Sequence, residues 1–147
     1  MIVANQEPVS ALDISASGLS AQRLRMSVIA GNIANANSLV TPEGGPYRRR
    51  EVTFSTALKS ALSEADTGEK IGGVTTGTVK VTREPLKTVY DPQNSMADKD
   101  GFVQVPNVNV TKEMVDMVAA QREYEANLTA MKAYREMLRT SVGILKR

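Results

Sequence analysis

The sequence predicts a mainly α protein with a small β-rich insertion, its N- and C-terminal helices packing as a coiled-coil-like pair. Three observations carry this prediction. Apolar residues recur at helical spacing near both ends of the chain. Between them, prolines, glycines and alternating β-branched residues replace that periodicity. Aromatic residues make up only 4% of the chain and Trp is absent, so burial falls to Leu, Ile, Val, Met and Ala. That palette suits helix–helix seams better than a thick globular core.

The first helix is expected over residues 11–37. Leu12, Leu19, Met26 and Ile33 recur every seven residues, and Leu24, Val28 and Ile29 widen the stripe. Small residues between them (Ser15, Ala16, Ser27, Ala30) allow another helix to approach closely. Asp13 complements the helix dipole in the first turn. Asn37 and Ser38, with Pro42 beyond, mark the end. At a rise of ~1.5 Å per residue the helix spans about 40 Å.

The insert holds five of the six prolines and most of the glycines. Residues 41–46 read as a turn-rich loop, 51–54 as a short strand and 57–65 as one or two helical turns. Residues 66–70 form a polar joint. Residues 73–89 alternate as two strands broken near Glu84 and Pro85. Asp91-Pro92 and residues 98–101 are turns, and Phe102, Val103 and Val105 form a last extended piece.

The second helix is expected over residues 110–145. A spacing of four and three selects Val110, Met114, Met117, Gln121, Tyr124, Leu128, Met131, Arg135, Leu138, Val142 and Leu145. Gln121 and Arg135 interrupt this seam, and Thr111 offers an N-cap. The chain thus divides into a helix over 1–38, an insert over 39–108 and a helix over 109–147. Long helices in a two-helix hairpin leave half of each seam uncovered, so self-assembly or partner binding follows. The helix-packing residues are Leu12, Leu19, Met26 and Ile33 on one arm. On the other they are Met114, Met117, Tyr124, Leu128, Met131 and Leu138. Without partners these helices are expected to be largely unfolded in the free subunit.

Several function classes fall away. The chain of 147 residues contains neither Cys nor His. Disulfides, thiolate nucleophiles, thiolate or imidazole metal sites and a Ser-His-Asp triad are therefore excluded. No metal site or cofactor is expected. With 18 basic and 16 acidic residues, net charge is +2, which gives no reason to expect nucleic acid or an anionic membrane as main partner. No apolar stretch is long enough to span a bilayer as a helix, and the N-terminus lacks the basic and apolar regions of a secretory signal.

The remaining motifs each have two readings. Asn32 and Asn35 share a helix face near its C-terminal end. Their amides suit lateral bonds to a neighbouring chain, or simply helix termination. Residues 47–50 (Tyr-Arg-Arg-Arg) are a basic run, which reads more simply as a solvated strand edge than as a nucleic-acid patch. Asp91, Asn94, Asp98 and Asp100 lack the later bidentate Glu of a calcium loop and read as turns. Glu113 with Asp116, and Glu123 with Glu125, sit beside Lys112 and Arg122 and read as a solvated helix face, leaving no carboxylate pair for acid–base chemistry.

Taken in order, these segments resemble a known family. SALDISASGLSAQR at 10–23 and NIANAN at 32–37 are similar to the N-terminal helix of the flagellar rod, hook and filament proteins. Asn32, Ala34, Asn35 and Asn37 carry that axial motif. PYRRREVTF at 46–54, VYDP at 89–92, MADKDGFV at 96–103 and VPNVNV at 105–110 resemble the proximal-rod members of the family. EMVDMV at 113–118 and QREYEAN at 121–127 extend the likeness. Pro46, Tyr47, Asp91, Pro92, Pro106 and Asn107 are the rod-specific positions. The segment 65–75, rich in Gly and charge, departs from the pattern and is expected to alter the outer contact surface.

The resemblance implies a structural, non-enzymatic subunit of the bacterial flagellar basal body. Its terminal helices would polymerise into a tube that transmits torque and passes export substrates. It implies export by the flagellar type III apparatus without a cleaved signal, and a place in the rod crossing the periplasm. Implied partners are copies of itself, other proximal-rod subunits and the adaptor at the rod base. The same seams would also serve a cytosolic helical adaptor or coiled-coil interaction protein that does not polymerise.

Overall fold

In the computed structural model, residues 11–56 and 73–145 are described. The expected helical turns at 57–65 and the joint at 66–70 lie outside the described residues, as does most of the departing segment at 65–75. The element order is α1 (Ala11–Ala34), β1 (Arg50–Thr56), β2 (Val74–Val81), β3 (Lys87–Tyr90), β4 (Phe102–Val105) and α2 (Val110–Leu145). The protein is mainly α with a small β insertion. The strands form two two-stranded sheets, β1 with β2 and β3 with β4. In the second, antiparallel sheet, Lys87 faces Val105 and Tyr90 faces Phe102. The Tyr90 and Phe102 rings meet edge-to-face at 5.4 Å.

The chain divides into two compact units, and each helix contributes to both. One unit comprises Met1–Leu24, Phe54–Thr78 and Ala120–Arg147. Within it the helices run antiparallel: Gly18 lies against Asn127, and Gln22 donates to Glu123. A Cβ on Gly18 would come within 2.9 Å of the Asn127 amide nitrogen, so the Asn127 side chain packs directly on the glycine and would have to shift to admit a larger residue. Ala21 and Ala120 are buried here, small residues at a close helix contact. The start of β2 is tied to α1 by Ser17, whose hydroxyl accepts from the Val74 amide at 3.0 Å and donates to the Ile14 carbonyl.

The other unit comprises Arg25–Thr53 and Val79–Ala119. Its apolar core is Ile29, Tyr47, Val103 and Val108, and it also buries Asn32, Asn107 and Glu113. α2 begins where Asn109 caps it: the Asn109 side-chain oxygen accepts from the Lys112 amide at 3.2 Å. The cap is therefore Asn109 and not Thr111, because the helix starts two residues earlier than that cap requires.

The covered face of α2 is also shifted. Glu113, Met117, Ala120, Tyr124, Asn127, Leu128, Met131 and Tyr134 are buried or half-buried, whereas Met114, Gln121 and Arg135 are exposed. The spacing runs three-then-four from Val110, so Glu113, Ala120 and Tyr134 take the places sequence periodicity assigns to Met114, Gln121 and Arg135. The two polar interruptions of the expected seam are thus solvent-facing residues.

Candidate functional site

The densest set of specific contacts lies in the second unit and centres on Asn32. Asn32 sits near the C-terminal end of α1 with a side chain 1% exposed. Its amide nitrogen donates to the Arg50 carbonyl at 2.9 Å and to a Glu113 carboxylate oxygen at 3.0 Å. Its amide oxygen accepts from the Arg50 backbone N–H at 2.9 Å and from the Tyr47 hydroxyl at 3.0 Å. Both donors and both acceptor directions of one buried amide are used, which is the condition for burying it without penalty.

Glu113 answers from the first turn of α2 and is fully buried. Its other oxygen accepts from Arg49 Nε at 2.6 Å. Arg49 also pairs with Glu51 on the same face of the strand. Burial alone would favour the neutral guanidine. The Glu113 hydrogen bond and charge, joined by Glu51, outweigh it and push the Arg49 pKa up. Tyr47 is held neutral mainly by burial, with Arg50 opposing and Glu113 and Glu43 reinforcing. The Arg50 guanidinium lies 5.7 Å from the Tyr47 ring centroid.

Asn107 closes the cluster. Its oxygen accepts from the Arg49 amide at 2.8 Å and its nitrogen donates to the Glu84 carbonyl at 3.2 Å. Asn32, Tyr47, Arg49, Asn107 and Glu113 therefore join α1, the strand β1, the β2–β3 connection and the start of α2. Tethers of this kind fix register, because a shift of one residue leaves several buried polar atoms unpaired.

Two readings of residues need correction. Glu113 does not lie on a solvated face: the three-then-four phase of α2 turns it inward, where Arg49 compensates its charge. Arg49 is not a solvated edge residue either. Arg48 and Arg50 are exposed, but alternation along the extended chain leading into β1 sends Arg49 inward. The two asparagines of the helix end divide the readings between them. Asn35 terminates the helix, its amide nitrogen donating to the Gly31 carbonyl at 2.9 Å and its oxygen accepting from Ser38. Asn32 makes lateral bonds, but within its own chain.

The other sequence-singled residues are scattered. Leu12, Leu19, Met26, Ile33, Met117, Tyr124, Leu128 and Met131 are half-buried; Met114 and Leu138 are exposed. Ala34 and Asn37 are exposed, Pro46 is half-buried and Pro106 is buried. Asp91 and Pro92 are exposed in the β3–β4 turn, away from the Asn32 cluster's contacts. Arg49 and Glu113 form a pair that sequence motifs do not connect. The signal for Glu113 is the seven-residue repeat it shares with Ala120 and Asn127. Among the described residues no group of three or more acidic side chains could hold a metal ion. No helix among them is long and apolar enough to cross a membrane.

Residues 12–39 match the family model described as "Flagella basal body rod protein". Residues 99–144 match that of the "Flagellar basal body rod FlgEFG protein C-terminal". Together the two matches contain Asn32, Asn107 and Glu113. Over 149 aligned residues the chain is 40% identical to the flagellar basal-body rod protein FlgC of Borreliella burgdorferi, covering 93% of this chain and 97% of that protein. It is 40% identical to FlgC of Bacillus subtilis, covering 92% and 96%. The FlgC of Salmonella typhimurium is also 40% identical, over 86% of this chain and 89% of the relative. With likeness of this extent running through both helices and the insert between them, the chain belongs to the FlgC family of flagellar basal-body rod proteins.

Proposed function

We propose that the chain is a structural subunit of the proximal part of the flagellar rod, polymerising through its terminal helices into a torque-transmitting wall around an export channel. The family is a structural one, not enzymatic. The observation that carries the reading is the uneven finish of α2. Its first turn is locked by Glu113, yet Met114, Val115, Val118, Met137, Leu138, Val142 and Ile144 are all exposed. Apolar surface on that scale along one helix calls for neighbouring subunits.

In this reading the helix-packing residues Leu12, Leu19, Met26, Ile33, Met114, Met117, Tyr124, Leu128, Met131 and Leu138 meet neighbours as well as each other. Those neighbours are further copies, other proximal-rod subunits and the rod-base adaptor. The arms at 1–38 and 109–147 form the inner tube, and the insert at 39–108 lies outside it as the address. The rod crosses the periplasm, and in this reading the subunit reaches it through the type III export apparatus, without a cleaved signal.

Deleting the gene tests this directly: cells should lose swimming and hooks, and normal swimming would sink the reading. Leu128→Asp is sharper. It should leave the subunit exported but absent from purified basal bodies. A non-polymerising cytosolic adaptor is the rival, and recovery of the chain exclusively from cytosol would favour it.

A further inference from the structure

The second unit carries a groove and a knob of opposite character. The groove has a volume of about 790 Å³ and lies among α1, the turn after it and the end of β2. Val28, Pro46, Val79 and Val81 are its apolar lining, and Arg48, Arg50 and one carboxylate, Glu43, line it as well. Val79 and Val81 are 42% and 49% exposed, so this lining is uncovered. Both arginines are exposed. Among the described residues the Arg50 side chain is engaged by Glu43 at 3.4 Å, an exposed pair of little energetic weight, and by the Tyr47 ring.

The knob is the turn joining β3 to β4, residues 91–101. It presents three exposed aspartates, Asp91, Asp98 and Asp100, against one lysine, Lys99. Met96 stands 49% exposed among them. The turn is pre-shaped. Asp98 accepts from the Asp100 and Phe102 amides, and the Asp91 amide donates to the Gly101 carbonyl at 2.9 Å. Gly101 holds a φ of +79°, and a Cβ there would meet Tyr90 at 2.9 Å, so the turn keeps one conformation at low cost only with glycine. Preorganisation of this kind lowers the entropy lost on docking. No residue of the turn lines the groove, so among the described residues the turn does not occupy the groove of its own subunit.

We propose that the acidic β3–β4 turn of one copy docks in the arginine-lined groove of the next copy. Charge complementarity selects this occupant. Asp98 and Asp100 approach Arg48 and Arg50, a pairing of carboxylate with guanidinium that forms strong charge-assisted hydrogen bonds. Met96, flexible and apolar, fills the space over Val79 and Val81. Because groove and knob are different surfaces, the contact is heterologous and repeats from copy to copy without using the helix seams. The inference rests on the rod reading, to which it adds one specific contact between insert regions.

The absence of cysteine from the chain makes engineered thiols unambiguous reporters. Val79→Cys and Met96→Cys chains are produced together in the native host, and isolated basal bodies are treated with a short bismaleimide. A covalent dimer is expected only when both variants are present. Arg48→Glu in the Val79→Cys chain should lower its yield about tenfold through like-charge contact. Adding Asp100→Arg to the Met96→Cys chain should restore much of it. Basal bodies that contain both variants but give no dimer would overturn the contact and leave the rod reading standing. A dimer indifferent to Arg48→Glu, or linkage to a different protein instead, would overturn it equally. Absence of both chains from basal bodies would remove the rod reading and this contact with it.

Discussion

The two compact units solve opposite problems. The unit containing Arg25–Thr53 and Val79–Ala119 buries three polar side chains and pairs them all within the chain. The unit containing Ala120–Arg147 brings its helices together over small residues, Gly18, Ala21 and Ala120, and leaves the last turns of α2 exposed. The first satisfies its buried polar groups by its own contacts, while Val79, Val81 and Met114 stay exposed on its surface. In the second it is the apolar end of α2, from Met137 to Ile144, that is left to cover.

The sharpest way to break this comparison is to remove the acid at the centre of the finished unit. Glu113→Ala leaves the Arg49 guanidinium, 15% exposed, without its buried partner and frees the Asn32 amide. Loss of one partner from a buried pair costs about 3–5 kcal/mol. Urea denaturation read by hydrogen exchange of residues 100–119 should show a loss of that order. Glu123→Ala, in the other unit, removes an exposed carboxylate that touches Gln22 and should cost no more than about 0.5 kcal/mol. Equal effects at the two sites would erase the distinction between the units.

A smaller loss is expected at Asn107. Asn107→Ala strands the Arg49 amide and the Glu84 carbonyl together, a cost of about 1–3 kcal/mol. It should appear in the same hydrogen-exchange experiment, centred on residues 82–86 as well as 107. A variant as stable as the parent would mean that water replaces both bonds at no cost, and that the cluster is less closed than its geometry indicates.

How far this was legible in the sequence follows from the range of the interactions involved. Periodicity is local, so it placed α2 at 110–145 and the strand breaks near Glu84-Pro85. It did not place the phase of α2. Met114 and Glu113 are adjacent, and apolarity alone prefers Met114. The inward position of Glu113 depends on Arg49, 64 residues earlier. The same holds for the asparagine pair. Asn32 and Asn35 look equivalent on one helix face, and only the Arg50 backbone and the Tyr47 hydroxyl, brought near by the loop, single out Asn32. The Asn32 cluster was therefore visible as residue types and invisible as a connected object.

Alkaline titration sharpens the comparison without a large substitution. Tyr47 has its pKa raised above the ordinary tyrosine value, chiefly by burial. The folded state therefore holds the phenolic proton more tightly than the unfolded state. That stabilisation is complete below about pH 10 and is lost as pH rises through the folded pKa. Urea midpoints at pH 9 and pH 11 should fall more for the parent than for Tyr47→Phe. An identical fall in both would place the alkaline sensitivity elsewhere.

The smallest expected effect probes the unfinished unit. Gly143 lies in α2 with nothing within 4 Å of where a Cβ would stand, and residues 136–144 are exposed all round. A helix end without tertiary contacts rests on propensity alone, and a helical glycine costs about 0.8–1.0 kcal/mol relative to alanine. Gly143→Ala should therefore raise the far-ultraviolet helical signal of dilute subunit. Gly18→Ala should not, because its Cβ must displace the Asn127 amide before the propensity gain is felt. If both substitutions raise helicity alike, the Gly18–Asn127 contact is not populated in the free subunit, and the helices of that unit meet only on assembly. If only Gly143→Ala does, the close approach at Gly18 already exists before neighbours arrive. The low helical signal expected of free subunits would then belong to the exposed end of α2 and not to the helix pair.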